Sequence, residues 1–368
     1  MKKKNLCKTL LKTMCIVLGI LILALLAYIV YLYASYYRIE DNQELVVEAP
    51  VDDTTTGAAA VLATDTEYSA VTYNIGFGAY LPDYSFFMDG GTSSWAESPE
   101  TVQYAINGAG ELVKSLDPDF ALIQEIDLDA TRSYHTDEYE MLRNILPEYT
   151  TVFAQNYDSA FLFYPFTQPH GSSRAGLGLF SKYPVSSALR RSFPISTSFS
   201  KFFDLDRCYS VSRIPVDNGK ELVIFNLHMS AYGNSDKIRK GQIEMLCNDM
   251  AKEYEAGNYV LCGGDFNHDL KASEEDAESC ESWAFPFPRS ELPEHFTFCL
   301  DLLTEEEQAA LWNSARNADM EYVPGVTYTV TLDGFIISDN IECLSYENVN
   351  TGYSYSDHDP VKVEFVLK

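Results

Sequence analysis

The feature that most constrains this chain is an almost uncharged apolar run from about Met14 to Tyr37, preceded by Lys2, Lys3, Lys4, Lys8 and Lys12. In hydrocarbon every backbone N–H and C=O must find its partner within the segment, so a run of this kind has to be helical. A bilayer is crossed by roughly 20 residues and a cleaved signal has an apolar core of about 7–15, so the run reads as a retained transmembrane anchor over 14–37 behind a basic segment over 1–13. Lysines ahead of the span put the N-terminus in the cytoplasm and everything after Arg38 outside the cell membrane. A lipoprotein reading fails, because Cys15 follows Lys12-Thr13-Met14 rather than an apolar stretch.

Beyond the span the charge reverses. Five of the 26 basic residues and none of the 54 acidic ones precede Arg38, so the remainder is strongly acidic. Such a field repels polyanions, whereas non-specific nucleic-acid binders carry a basic stripe that displaces counterions; this lowers the standing of a nuclease without excluding a local basic cleft. The 25 Tyr and 21 Phe among 368 residues can fill a sizeable core, which excludes a disordered chain. The cysteines beyond the span, Cys208, Cys247, Cys262, Cys280, Cys299 and Cys343, are widely spaced and form no Cys-x-x-Cys pair, so thiolate zinc is excluded. One or two disulfides are compatible with the compartment, although Cys262 lies in an apolar run and reads as a buried thiol. The lack of an Asn-x-Ser/Thr sequon points to a bacterial source.

Residues 38–66 are rich in Asp, Thr and Ala without a clear period and read as an acidic stalk, followed by one domain over 67–368. There, short β-branched or aromatic runs alternate with helical stretches. Strands are predicted at Ala70–Asn74, Phe120–Gln124, Gly176–Phe180, Leu222–Leu227, Tyr259–Cys262, Gly334–Ile337 and Val361–Leu367. Helices are predicted near Glu100–Leu116 and Asp236–Glu255, and the pattern is mixed α/β.

Polar residues stand where these strands end: Asn74, Glu125, His228, Asp265 and Asn267, with Asp333 opening a later strand and Asp357-His358 just before the last. Taken singly, each has an ordinary reading as a turn residue, a surface carboxylate or a satisfied core histidine. Together the oxygen donors suit Mg²⁺, Mn²⁺ or Ca²⁺, and two neutral imidazoles can handle protons, which describes hydrolysis at phosphorus. Competing motifs fail. Gly76-Phe77-Gly78 is followed by Leu81 where a dinucleotide loop needs a third Gly, and no Gly-x-Ser-x-Gly occurs.

The ordered series Thr-Tyr-Asn-Ile-Gly (72–76), Gln-Glu (124–125), Asn-Leu-His (226–228), Gly-Gly-Asp-Phe-Asn (263–267), Asp333 and Ser-Asp-His-Asp-Pro (356–360) resembles the endonuclease/exonuclease/phosphatase superfamily over about residues 68–368. The resemblance implies a four-layered α-β-β-α sandwich of two packed mixed β-sheets. It implies Glu125 as the main metal carboxylate with Asn74 beside it, and Asp357 for a second metal or the water. Asp265 would orient or deprotonate the attacking water, Asn267 would bind phosphate, His228 would contact the phosphate or leaving oxygen, and His358 would pair with Asp333. Arg174 is a further candidate for the phosphate.

Two aromatic insertions, Tyr80–Trp95 and Phe153–Pro169, are either core or the wall of a substrate pocket. A membrane-tethered enzyme acting on a lipid or small phosphodiester is the leading expectation, with no obligate protein partner. A DNase-like nuclease and a surface binding module without turnover are the competing ones.

Overall fold

The computed structural model describes residues 2–52, 61–202, 204–230, 236–276 and 283–368. Cys280 and residues 53–60 of the expected stalk lie outside these. The chain forms two units, Met1–Arg38 and Ile39–Lys368. The first contains one helix, α1 (Lys2–Ser35), whose Leu6–Ser35 stretch is long and apolar enough to cross a membrane.

The second unit begins with two short strands inside the expected stalk, β1 (Gln43–Glu44) and β2 (Val47–Glu48). After β3 (Glu67–Asn74) come α2 (Pro99–Leu116), β4 (Phe120–Ala130), α3 (Glu138–Ile145), β5 (Thr150–Asp158), β6 (Ser173–Ser181), β7 (Ser187–Ser192) and β8 (Cys208–Pro215). The second half holds β9 (Glu221–His228), α4 (Asp236–Glu255), β10 (Tyr259–Asp265), β11 (Phe296–Phe298), α5 (Glu305–Ala310), β12 (Ala315–Arg316), β13 (Thr329–Val330), β14 (Asp333–Ser338), β15 (Ile341–Asn348) and β16 (Val361–Leu367).

Two seven-stranded sheets result, in the orders β1-β7-β8-β9-β10-β14-β11 and β15-β16-β3-β4-β6-β5-β2. The stalk reading is corrected in part, since Gln43 and Glu44 pair with Arg190 and Leu189 at the edge of one sheet, and Val47 and Glu48 pair with Val152 and Thr151 at the edge of the other. Edge strands gain their stability from the neighbouring ladder, which local composition cannot reveal.

Alternation along β4 shows how the layers arise. Phe120 and Leu122 join the core between the sheets with Phe225, Leu261 and Phe335, while Ala121 and Ile123 face Val102, Ile106 and Leu142 of α2 and α3. On the far side, Ile243, Leu246 and Met250 of α4 pack into the core that includes the strands of the first sheet. The order is helix, sheet, sheet, helix.

Each sheet contains one parallel pair with a helical crossover. β3 and β4 flank α2, with Asn74 opposite Gln124; β9 and β10 flank α4, with His228 opposite Asp265. Parallel strands bring their C-terminal ends to one edge, so both crossovers deliver polar residues to the same rim. α2 starts where Ser98 accepts from the Thr101 N–H and Pro99 follows, and it stops at Asp117 in the left-handed region ahead of Pro118. A polar line crosses the core behind the rim. Gln124 Nε2 donates to Asn226 Oδ1 at 2.8 Å and to Thr72 Oγ1 at 3.1 Å, and Asn226 Nδ2 donates to the Gly178 carbonyl at 3.0 Å.

Candidate active site

Asp265, the last residue of β10, is the hub of the rim. Its backbone neighbours across the sheet are His228 on one side and Asp333 on the other, so three adjacent strands present three ionisable side chains in one row. The preceding Gly264 has φ +146°, and a Cβ there would stand 2.1 Å from the Leu227 carbonyl oxygen, so only glycine lets β10 press against β9 and aim Asp265.

Asp265 Oδ2 accepts from Asn74 Nδ2 at 3.1 Å and from Asn267 Nδ2 at 3.3 Å, and lies 3.5 Å from His228 Nε2 and 3.9 Å from His358 Nε2. Its Oδ1 accepts from the Asn267 N–H at 2.8 Å. Asn74 also donates to Glu125 Oε1 at 3.1 Å within its own sheet, so that its bond to Asp265 ties the two sheets together at the rim. Glu125 sits at an irregularity of β4 with φ +56°, a left-handed conformation that turns its carboxylate out of the strand alternation. Asn267 is likewise left-handed, at φ +50°.

The last motif is held from two directions. Ser356 Oγ donates to the Asn74 carbonyl at 2.8 Å, and the Arg316 N–H donates to the Asp357 carbonyl at 2.9 Å. Asp359 is buried and structural, accepting from Trp312 Nε1 at 2.8 Å and from the Thr351 N–H at 3.2 Å. His358 Nδ1 is thereby set 2.7 Å from Asp333 Oδ2, and Ser314 Oγ donates to the same oxygen at 2.7 Å. Ser314 has no motif context in the sequence; only the fold shows its part.

The two histidines differ in charge. Burial pushes His228 well below the ordinary imidazole range, and the positive charges of Arg207 and His358 add to this. Burial is the largest influence on His358 and would lower it too, but the Asp333 carboxylate, joined by Asp265 and Asp357, outweighs it and holds His358 well above the ordinary range. The two imidazoles, expected to be alike, are pushed in opposite directions, His228 towards the neutral form and His358 towards the charged one. Burial, opposed by His358 and reinforced by Asp333, raises Asp265 to about 7. Asp357 is also raised by burial, against the pull of His358 and Arg316.

These groups floor a cavity of about 330 Å³. Phe77, Tyr80, Phe86 and Met88 form one wall, so the first aromatic insertion lines the pocket. The second contributes Tyr157; its Phe163, Tyr164 and Phe166 are exposed on the surface. Arg132, Arg207 and Arg316 also line the cavity, as does His170, which no motif singled out. Arg174 does not join them. It is exposed and pairs with Asp129 at 3.1 Å, so its expected phosphate contact is corrected. Of the other histidines, His135 and His295 are surface partners of Asp129 and Asp339, and His268 is buried against the Phe266 carbonyl. The described cysteines are free thiols.

Asp265, Asp333 and His358 offer ligand atoms within 4.8 Å of one another, but His358 Nδ1 and Asp333 Oδ2 are engaged with each other. Glu125, Asp265 and Asp357 face the cavity, and among the described residues no Lys or Arg forms an ion pair with them. Converging carboxylates beside a side-chain amide, with no Lys or Arg paired to them among the described residues, fit a hard divalent ion.

Residues 71–300 match the sequence model of the Endonuclease/Exonuclease/phosphatase family. The chain belongs to this family. Its members are hydrolases that act on phosphoester bonds. A comparison with curated protein sequences finds no match. Among solved structures, an endonuclease/exonuclease/phosphatase from Bacteroides vulgatus is 17% identical with a TM-score of 0.53, covering 83% of this chain and 100% of its own. The human Nocturnin catalytic domain with bound sulfate anion is 18% identical with a TM-score of 0.53, covering 82% and 95%. D. rerio TDP2 complexed with single strand DNA product is 14% identical with a TM-score of 0.53, covering 82% and 99%. At these identities the likeness is one of fold, and the endonuclease/exonuclease/phosphatase sandwich is the architecture of this chain.

Proposed function

We propose that the protein is a membrane-anchored, divalent-metal-dependent phosphoesterase that cleaves a lipid or small phosphodiester outside the cytoplasm. The observation that carries the catalytic reading is the Asp265 hub, where one buried carboxylate with a pKa of about 7 meets a neutral His228 and a His358 imidazolium paired with Asp333. A base poised near neutral pH next to a fixed acid is the division of labour that hydrolysis needs. Asp265 accepts the proton of the attacking water as the new P–O bond forms. His358, held charged by Asp333, faces the negative charge that builds on the phosphoryl oxygens and supplies a proton to the departing oxygen as its bond to phosphorus breaks. His228 Nε2 and Asn267 Nδ2 orient the phosphate and Asp265. Glu125, Asn74 and Asp357 are the residues to hold Mg²⁺ or Mn²⁺, whose charge would offset that of the phosphate.

The cavity of about 330 Å³ suits a small headgroup better than a duplex, and the acidic excess opposes polyanions. The apolar helix Leu6–Ser35 behind its lysines supports the anchor and its orientation. The test is hydrolysis by the full-length chain in detergent, with Mg²⁺, Mn²⁺ or EDTA, on sphingomyelin, phosphoinositides, small diesters and DNA. Metal-dependent cleavage of a lipid or small ester that spares DNA is expected. DNA cleavage would replace the substrate reading with a nuclease, and silence in every arm would favour a binding module.

A further inference from the structure

Three arginines line the cavity, and two of them are committed. Arg132 holds Asp127 through Nε at 3.1 Å and Nη2 at 2.8 Å, and stacks over the Phe77 ring at 3.7 Å. Arg316 spends Nη1 and Nη2 on the carbonyls of Asn317, Tyr80 and Leu81 and leaves only its Nε without a hydrogen-bond partner among the described residues. Arg207 is different. It is 4% exposed, lines the cavity, and its Nε and Nη1 have no hydrogen-bond partner among the described residues. The carboxylate of the neighbouring Asp206 accepts from the Ile39 N–H at 2.7 Å and lies 3.7 Å from Arg190. Asp204 lines the same cavity, yet no ion pair joins it to Arg207 among the described residues.

A guanidinium keeps its charge at every physiological pH, so it cannot escape burial by losing a proton. Burying one with unsatisfied donors is costly, and the cost is offset only when an acceptor arrives. The same charge is felt by His228 on the cavity floor, but Arg207 forms no ion pair with Glu125, Asp265 or Asp357. Arg207 is thus left with its charge unpaired by the carboxylates of the cavity floor and open to an incoming acceptor.

We propose that Arg207 is a specificity-determining residue that receives a second anionic group of the substrate, a phosphate or carboxylate next to the phosphoester that is cleaved. The proposal rests on the phosphoesterase reading for the identity of the scissile group, but its anion site stands on Arg207 alone. It places the substrate among doubly anionic phosphoesters and away from zwitterionic headgroups with a single phosphate. The planar fork suits two oxygens of one such group, and two charge-assisted bonds in a dry pocket discriminate strongly.

Methylenebisphosphonate and methylphosphonate serve as probes, differing in the second anionic group, with binding to the full-length chain in detergent measured by calorimetry at fixed Mg²⁺. The wild type is expected to prefer the bisphosphonate by about tenfold or more, and R207M to lose most of that preference while its affinity for methylphosphonate changes by less than about threefold. R207K, which keeps the charge and loses the fork, is expected to fall between them. R207M is also expected to unfold at a temperature equal to or above that of the wild type, because it removes an unsatisfied buried charge. A lower unfolding temperature or failure of R207M to fold would make Arg207 structural and overturn the proposal, as would equal weakening for both probes or no preference in the wild type. Because these readouts are equilibrium binding and unfolding, a chain that hydrolyses nothing in the panel above would sink the phosphoesterase reading and leave the anion site to be judged separately.

Discussion

Asp333 Oδ2 lies 2.7 Å from His358 Nδ1 and 2.7 Å from Ser314 Oγ, so a buried carboxylate with two fixed donors sets both the charge and the direction of the imidazole. The Ser314 hydroxyl in turn accepts from the N–H groups of Leu332 and Asp333 at 3.0 and 3.1 Å, which ties the pair to the start of β14.

Asp333→Asn removes the largest of the charges that oppose burial at His358, so the imidazole gives up its proton more readily. Phosphoester turnover is expected to fall by about 10²–10⁴-fold, since the charged acid is lost while the hub remains. Steady-state rates on the best substrate of the panel check this, and a loss under fivefold would remove His358 from the chemistry.

The same pair has a pH signature in stability. His358 binds its proton more tightly in the folded chain than in the unfolded one, so its contribution is complete below about pH 6.5 and is lost as pH rises through the raised folded value. Thermal unfolding midpoints of the wild type are expected to decline above pH 6.5 more steeply than those of Asp333→Asn. Parallel curves would contradict the assignment.

Asp265 acts in the same direction over a lower pH window. Its folded pKa of about 7 means that the folded chain keeps a proton the unfolded chain has released, so stability falls as pH rises towards 7 and the deficit persists above it. A bound divalent cation favours the carboxylate and removes that deficit. Mg²⁺ is expected to raise the unfolding temperature relative to EDTA clearly at about pH 8 and much less at about pH 5.5. An equal shift at both pH values would show that the cation binds away from Asp265.

Arg174 and Arg132 differ in what they hold. The exposed Arg174–Asp129 pair is screened by solvent, so Arg174→Ala is expected to change stability by less than about 1 kcal/mol and activity by less than about twofold. Arg132→Met leaves the buried Asp127 without its bidentate partner and is expected to cost about 3–5 kcal/mol in denaturant unfolding. A large activity loss in Arg174→Ala would restore it to the site.

Gly264→Ala is expected to lose more than about 2 kcal/mol and most activity together, because its Cβ would collide with the Leu227 carbonyl where β10 carries Asp265. Retention of either in the purified variant would show that β10 can shift at no cost.

The sequence by itself determined the apolar helix, the alternation of strands and helices, and the identities and order of Asn74, Glu125, His228, Asp265, Asn267, Asp333 and His358. These were legible because periodicity, turn residues and motif order are written locally, and each predicted strand falls within one of the observed strands. Only the tertiary structure decided which of these groups meet, in which direction each imidazole is pushed, and that Arg174 faces solvent while Arg207 is buried with no hydrogen-bond partner for Nε and Nη1 among the described residues. It also turned residues 43–48 into edge strands and made Ser314 a partner of Asp333 across 19 residues of chain. Burial and distance between segments far apart in sequence set those properties, through desolvation and Coulomb forces that act only after the sheets have packed.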